Sequence, residues 1–416
     1  AGSGLFFDGS DAAHIYRGLW HTTDLAGADF LSDVVSAGGE PPFEISLGSQ
    51  LLFAGDDRTS SGRELWLSDG TTGGTALLKE ISPSGDSSPQ QFTRMGDTIY
   101  FVANDDAHED ELWSTQGSEP TTLRVTDIYS GANSSDINQL TVLNGRLYFF
   151  ANDGIFGQEL WRIDGATTER LSDIKAGSSD AANLDSEIEA SGGSLFLAAD
   201  GAGPGDENPE LWRYDGAAVS KVAEINPNPI VGSQPHSLTD VEGTLFFVAD
   251  DGAHGYELWK SDGPTASLAA DIAPGPANSG IQNMLAFGGR LYFTANDGAH
   301  GYELWKYEGG SATLVKDIYP GVTGSRPSSL TNVMGTLVFA AADRLGGNEP
   351  WQSDGTAAGT QRLEDIQPGP RNSNPGDFKL VDNRLYFRAY DAAHGDELWG
   401  LLVNIRFLYL PHVTLR

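Results

Sequence analysis

Three residue series recur in this chain at spacings that can do chemistry. Five of the eight histidines, His14, His108, His254, His300 and His394, share one position, in contexts such as DGAHGYELW, close to acids such as Asp251 and Asp297. Imidazoles ringed beside carboxylates can hold a transition metal or an acidic ligand. The acids Asp11, Asp57, Asp105, Asp153, Asp200, Asp251, Asp297, Asp343 and Asp391 form one carboxylate series, and Asp33, Glu80, Asp127, Asp173, Glu224, Asp271, Asp317 and Asp365 a second. Acid-and-glycine loops of this kind bind Ca2+ through oxygen, so Ca2+ is the cofactor these series suggest. The plainer alternatives are histidines solvated on turns and carboxylates that accept hydrogen bonds from turn N–H groups and tie their own unit together.

A group repeated in every unit makes a site many times over, so a unique site must be built from residues that break the repeat. Glu189 and Lys379 stand where Thr93, Thr141, Thr239 and Thr331 stand elsewhere, and Arg94 follows Thr93. The insertion 201–209 carries Asp206 and Glu207, and the first two units carry Arg17 and Arg58 in longer connections. From these and the histidine series the candidate ligand-binding set is His254, His300, Asp206, Glu207 and Lys379. None of these residues forms a nucleophile–base pair, a zinc signature or a phosphate loop, and no catalytic residue is assigned.

The elements that must position these groups are legible from the tryptophans. All nine, Trp20, Trp66, Trp113, Trp161, Trp212, Trp259, Trp305, Trp351 and Trp399, occupy one motif at intervals of 46 to 51 residues. A period of this size marks a propeller or solenoid, whose units bury their faces against each other. One unit contains four strand-like runs, 140–143, 147–151, 159–163 and 170–174. The second run recurs as TIYFVAND, TLFFVADD and RLYFTAND, dense in aromatic and β-branched residues and too short for a helix. The third ends in Asp-Gly at Asp69, Asp164, Asp215, Asp262 and Asp354, a hairpin dipeptide. Four antiparallel strands and a crossing loop make a propeller blade. Tryptophan at one register in each blade belongs between sheets, and Glu64 and its equivalents, mid-strand among buried neighbours, require hydrogen-bond partners.

The motif ELW-x-x-DG stands at 64–70, 159–165, 210–216 and 257–263, with imperfect copies at 111–117, 303–309 and 349–355. The chain thus resembles the bacterial ELWxxDGT repeat family from about residue 4 to 400. The resemblance implies a secreted or surface β-propeller and is silent on activity. The first copy departs from the pattern with Gly18 in the glutamate position, and the ninth, DELWGLLV, lacks its Asp-Gly.

Nine copies of the second strand predict an all-β, nine-bladed propeller over 1–400, with eight blades left open if a terminal unit is not a blade. The tail 401–416 breaks the repeat and is a candidate closing strand. The 25 Lys+Arg against 58 Asp+Glu give a net charge of −33, a surface that repels nucleic acid and anionic lipid. The absence of Cys excludes disulfides and thiolate chemistry, and no stretch reaches membrane-spanning length. The expectation is a secreted or surface-displayed binding or adhesion module for a glycan or protein ligand. The alternatives are a secreted polysaccharide lyase or hydrolase, and a structural part of a larger surface assembly.

The charge also carries a prediction. Self-repulsion at −33 opposes the compact state and is screened by salt, so the thermal midpoint rises with NaCl at constant pH. A midpoint that is flat or falls from low to molar salt in differential scanning fluorimetry would contradict it.

Overall fold

The computed structural model describes residues 4–9, 18–23, 28–36, 44–58, 62–182, 186–200, 208–228, 231–381 and 383–402. Asp11, His14, Arg17, Asp206 and Glu207, and the tail beyond 402, lie outside the described residues.

Second strands such as Arg146–Asn152 and Thr244–Asp250 bury five consecutive residues each, so both faces of every sheet must be covered. The chain meets that demand with nine antiparallel sheets set as blades around an axis, over 5–32, 35–79, 90–124, 138–170, 187–221, 236–270, 282–316, 328–362 and 376–402. It is a nine-bladed β-propeller, and its only helices among the described residues are two single 3-10 turns, Thr72–Gly74 and Glu119–Thr121. Strands follow chain order from the axis outward, and the first strands of blades 2 to 9 each touch the next. Blades 1 and 9 have three strands each among the described residues. Blade 1 starts at its second strand, Leu5–Gly9, as expected, and residues 400–402, expected at the edge of the tail, complete the third strand of blade 9, Gly395–Leu402. The Arg384 guanidinium of blade 9 donates to the Thr23 carbonyl of blade 1 at 2.9 Å and joins the two ends of the ring.

The tryptophans face the preceding blade. Trp113 packs with Leu52 and Leu65 of blade 2, Trp259 with Phe196 and Leu211 of blade 5, and Trp351 with Tyr292 and Leu304 of blade 7. The indole N–H groups of Trp113, Trp161, Trp212 and Trp399 donate to the carbonyls of Ala103, Ala151, Ala199 and Ala389, within their own blades. Inter-sheet docking is therefore their role.

The axial strands hold a feature that residue types do not announce. Gln91, Gln139, Ser237, Asn283, Ser329 and Asp377 have φ between 53° and 58°, and the pairing with the second strand slips by one residue there, the mark of a β-bulge. The threonine two residues on turns its hydroxyl to the bulge carbonyl, as Thr93, Thr239 and Thr331 do at 3.1 Å. Blade 5 has no bulge: its first strand, Glu187–Ser191, pairs in regular register. There the Glu187 carboxylate accepts the N–H groups of Ser237 and Leu238 in the next blade, and Glu189 accepts that of Asp240 at 3.3 Å.

Candidate functional site

Each recurrent polar group can now be followed to its partners. In blades 2 to 8 the ELW glutamate is buried and receives donors from the segment leaving the fourth strand of its blade. Glu64 accepts the Ile81 N–H at 2.6 Å and the Ser87 hydroxyl at 2.8 Å. Glu349 accepts the Ile366 N–H at 2.9 Å and the Ser373 hydroxyl at 2.8 Å. Glu303 accepts the N–H groups of Tyr319 and Ser325 and the Ser325 hydroxyl. Glu111, Glu159, Glu210 and Glu257 play the same part. Burial pushes Glu64 and Glu349 up to about 7, against the donors that favour the carboxylate.

The acid at the end of the second strand organises its own hairpin. Asp251 accepts the Ala253 and His254 N–H groups at 2.9 Å, and the His254 Nδ1 sits 2.7 Å from its other oxygen. Asp297 with His300 repeats this arrangement, and Asp105–His108 and Asp391–His394 follow it. The hydrogen bond to the carboxylate raises the affinity of His254, His300 and His394 for a proton. These histidines close turns, and Asp153 and Asp343 cap the same turn without one. Asp200, expected in this series, lies one residue out of register: it pairs with Pro209, as Asn296 pairs with Tyr302. The fourth-strand acids behave differently from the expectation that they tie turns. Asp173, Glu224 and Asp365 face a cation three residues earlier, Arg170, Lys221 and Arg362.

Among the described residues no group of three or more His, Cys, Asp or Glu is placed to hold a metal ion. His254 and His300 are each paired inside separate hairpins, whereas Lys379 stands exposed on the axial strand of blade 9, opposite Tyr386. The described part of the expected set is thus spread over two regions of the propeller.

Blade junctions on the histidine rim are where the repeat does break. The residue after the isoleucine that closes the fourth strand reaches over the hairpin of the next blade. The Ser82 hydroxyl donates to Asp106 at 2.6 Å, the Tyr129 ring lies against Gly154, and Lys175 Nζ is 3.5 Å from Asp200. Asn226 abuts Gly252, Tyr319 lies under the Arg344 guanidinium, and Gln367 accepts the Ala392 N–H at 3.1 Å. Between blades 6 and 7 that residue is Ala273, and its counterpart Gly298 has open space where a side chain would stand. A cavity of about 300 Å³ opens between blades 6 and 7, lined by Ala270, Asp271, Ile272, Pro274, Asp297, Trp305 and Ala312.

The charge around this cavity differs from that at other junctions. The fourth-strand residue opposite the tryptophan is Arg124, Arg170, Lys221 or Arg362 in blades 3, 4, 5 and 8. In blades 2, 6 and 7 it is Leu77, Leu268 and Leu314. At the opening Asp297 is paired with His300 of its own hairpin, and Asp271 stands exposed. Sequence reading missed this site because its walls come from two blades and meet only when one blade is set beside the next.

No family model and no curated protein matches the chain. Among solved structures it resembles one from a study of two prolyl endopeptidases (13% identity, TM-score 0.47, covering 76% of this chain and 48% of that one). It also resembles the β-propeller domain of the Trilobed protease from Pyrococcus furiosus (11%, 0.42, 77% and 96%). A puromycin hydrolase is similar at 14% identity, with a TM-score of 0.42 over 85% of this chain and 58% of that one. This chain spans about half the length of the first of these.

Proposed function

We propose that the chain is a secreted or surface-displayed binding module of the ELWxxDGT repeat kind, whose glycan or protein ligand is read on the rim that carries the histidine hairpins. The observation behind this is the division of labour among its polar residues. The repeated glutamates and Asp–His pairs are engaged in holding blades and turns, and an accessible, mainly apolar concavity edged by Asp271 lies at the 6–7 junction. Binding residues concentrate on loops carried by a rigid scaffold, and here the fourth-strand exits and the hairpins of the next blade meet on one rim.

The test is a glycan-array and turnover screen of the purified chain with and without Ca2+. Saturable binding without release of product supports the module. Time-dependent cleavage of any arrayed polysaccharide would replace it with the lyase or hydrolase reading. Binding that appears only with Ca2+ would restore a metal role for the acid series.

A further inference from the structure

In a chain of net charge −33, one place on the histidine rim gathers cations, the hairpin 343–347 of blade 8. Arg344 stands in that hairpin. Arg326 is tied to its base, since the Ala342 N–H donates to the carbonyl of Ser325 at 2.9 Å. Arg371 closes the other side, its carbonyl occupying the place where a Gly347 side chain would stand. All three arginines are exposed, and among the described residues none of them forms an ion pair. The acid inside the hairpin is already engaged: Asp343 accepts the N–H groups of Leu345 at 2.8 Å and Gly346 at 2.6 Å and lies 3.7 Å from Arg362. In blades 2 to 8 the segments that lead from the closing isoleucine to the next blade carry one other cation, Lys175, which is 3.5 Å from Asp200.

The same place is apolar. Leu345, 81% exposed, and Val322, 77% exposed, are the barest large apolar residues described, and both adjoin Arg344. Leu345 follows it in the chain, and Val322 follows Gly321, against which the Arg344 guanidinium lies. That guanidinium is held in place 5.5 Å from the centre of the Tyr319 ring and donates to the Pro320 carbonyl, so it has little freedom left to lose on binding.

These features select the kind of partner. Guanidinium forks match carboxylates. With a Debye length of about 8 Å at physiological salt, the arginines at the hairpin outweigh the distant acids of the ring for whatever touches it. A uronate or sulfated glycan would answer the arginines but leave Leu345 and Val322 in water. Arginine beside an aromatic ring and bare aliphatic side chains is the composition of a protein interface.

We propose that the blade 8 hairpin and the two segments beside it form a docking surface for an acidic segment of another protein, whose carboxylates meet Arg326, Arg344 and Arg371 and whose aliphatic side chain packs on Leu345 and Val322. The proposal deepens the binding-module reading and rests on its protein-ligand branch.

The experiment uses the whole chain and two variants. One combines Arg326→Gln, Arg344→Gln and Arg371→Gln; glutamine suits the left-handed backbone of Arg326, φ 52°, because Gln234 has φ 45° at the matching place in blade 6. The other, Leu345→Ser, keeps the N–H that Asp343 accepts. Fluorescence anisotropy reads the binding of labelled octapeptides that carry Asp and Leu in varied order, of counterparts with Asn for Asp or Ser for Leu, and of labelled polygalacturonate. The expected result is acidic peptides that bind wild type at least tenfold tighter than either counterpart, weakened tenfold or more by the triple substitution and about fivefold by Leu345→Ser, with unchanged melting temperatures. Equal binding by wild type and the triple variant would overturn the docking surface and leave the module reading standing, as would silence of every peptide beside a positive glycan array. Polygalacturonate that binds as tightly and ignores Leu345→Ser would replace the acidic protein with an anionic glycan. Dimers of wild type in sedimentation velocity that vanish in the triple variant would make the occupant a second copy and overturn its assignment to another protein. Silence of the peptides and of the glycan array together would overturn the module reading itself.

Discussion

Replacing Glu303 by alanine lowers the stability of the propeller by about 3 kcal/mol or more, because three buried donors lose their acceptor together and each orphaned group costs about 1–3 kcal/mol. The donors are the N–H groups of Tyr319 and Ser325 and the Ser325 hydroxyl, all on the segment that carries the chain from blade 7 to blade 8. Glutamine restores only part of the loss, since its amide turns a donor toward donors. Denaturant unfolding followed by circular dichroism measures this. A midpoint for Glu303→Ala within error of wild type would show that the buried carboxylate does not hold the exit segment.

Stability also falls as pH rises from about 5 to 8. Glu64, Glu189 and Glu349 hold their protons more tightly folded than unfolded, with burial raising each from 4.5 to about 7. Their contribution is whole below 4.5 and is lost as pH climbs through about 7. His254, His300 and His394 act in the same direction, because bonding to their aspartates raises them above 6.5. The opposing groups are Asp251, Asp297 and Asp391. Burial works against their ionisation, yet the bonds from their histidines and turn N–H groups leave them below 3.8, so what they contribute disappears only in stronger acid. Surface repulsion slopes the same way but is screened at about 1 M salt, where the Debye length is about 3 Å. Melting temperatures measured from pH 5 to 8 at that salt should still decline. A rise over that range would refute the account.

Sequence reading reached the architecture because its signals are local. A tryptophan and a glutamate at fixed places in a short strand, followed by Asp-Gly, identify the third strand without knowledge of any neighbour. The carboxylate of Asp251 as the anchor of its own turn was legible for the same reason, since acceptor and donors lie within three residues. What was not legible depends on distance along the chain. Ser373, which donates to Glu349, follows it by 24 residues and is an ordinary loop serine until the blade is built. The bulges at Gln139 and Asn283 place non-glycine residues in the left-handed region, a choice their types do not signal. The walls of the cavity between blades 6 and 7, Ile272 and Trp305 among them, come from two blades, and reading them requires the blades laid side by side.

The wiring of the blade and the filling of its junction fall on different residues. Glu257 holds the backbone of Ala273 through its N–H, and any residue except proline offers the same N–H. Inheritance can therefore copy whole blades with their structural residues intact while the side chain over each hairpin drifts freely. A single codon change at such a position alters what one junction presents to its neighbour, one junction at a time. A ring assembled this way can vary its circumference without renegotiating its fold.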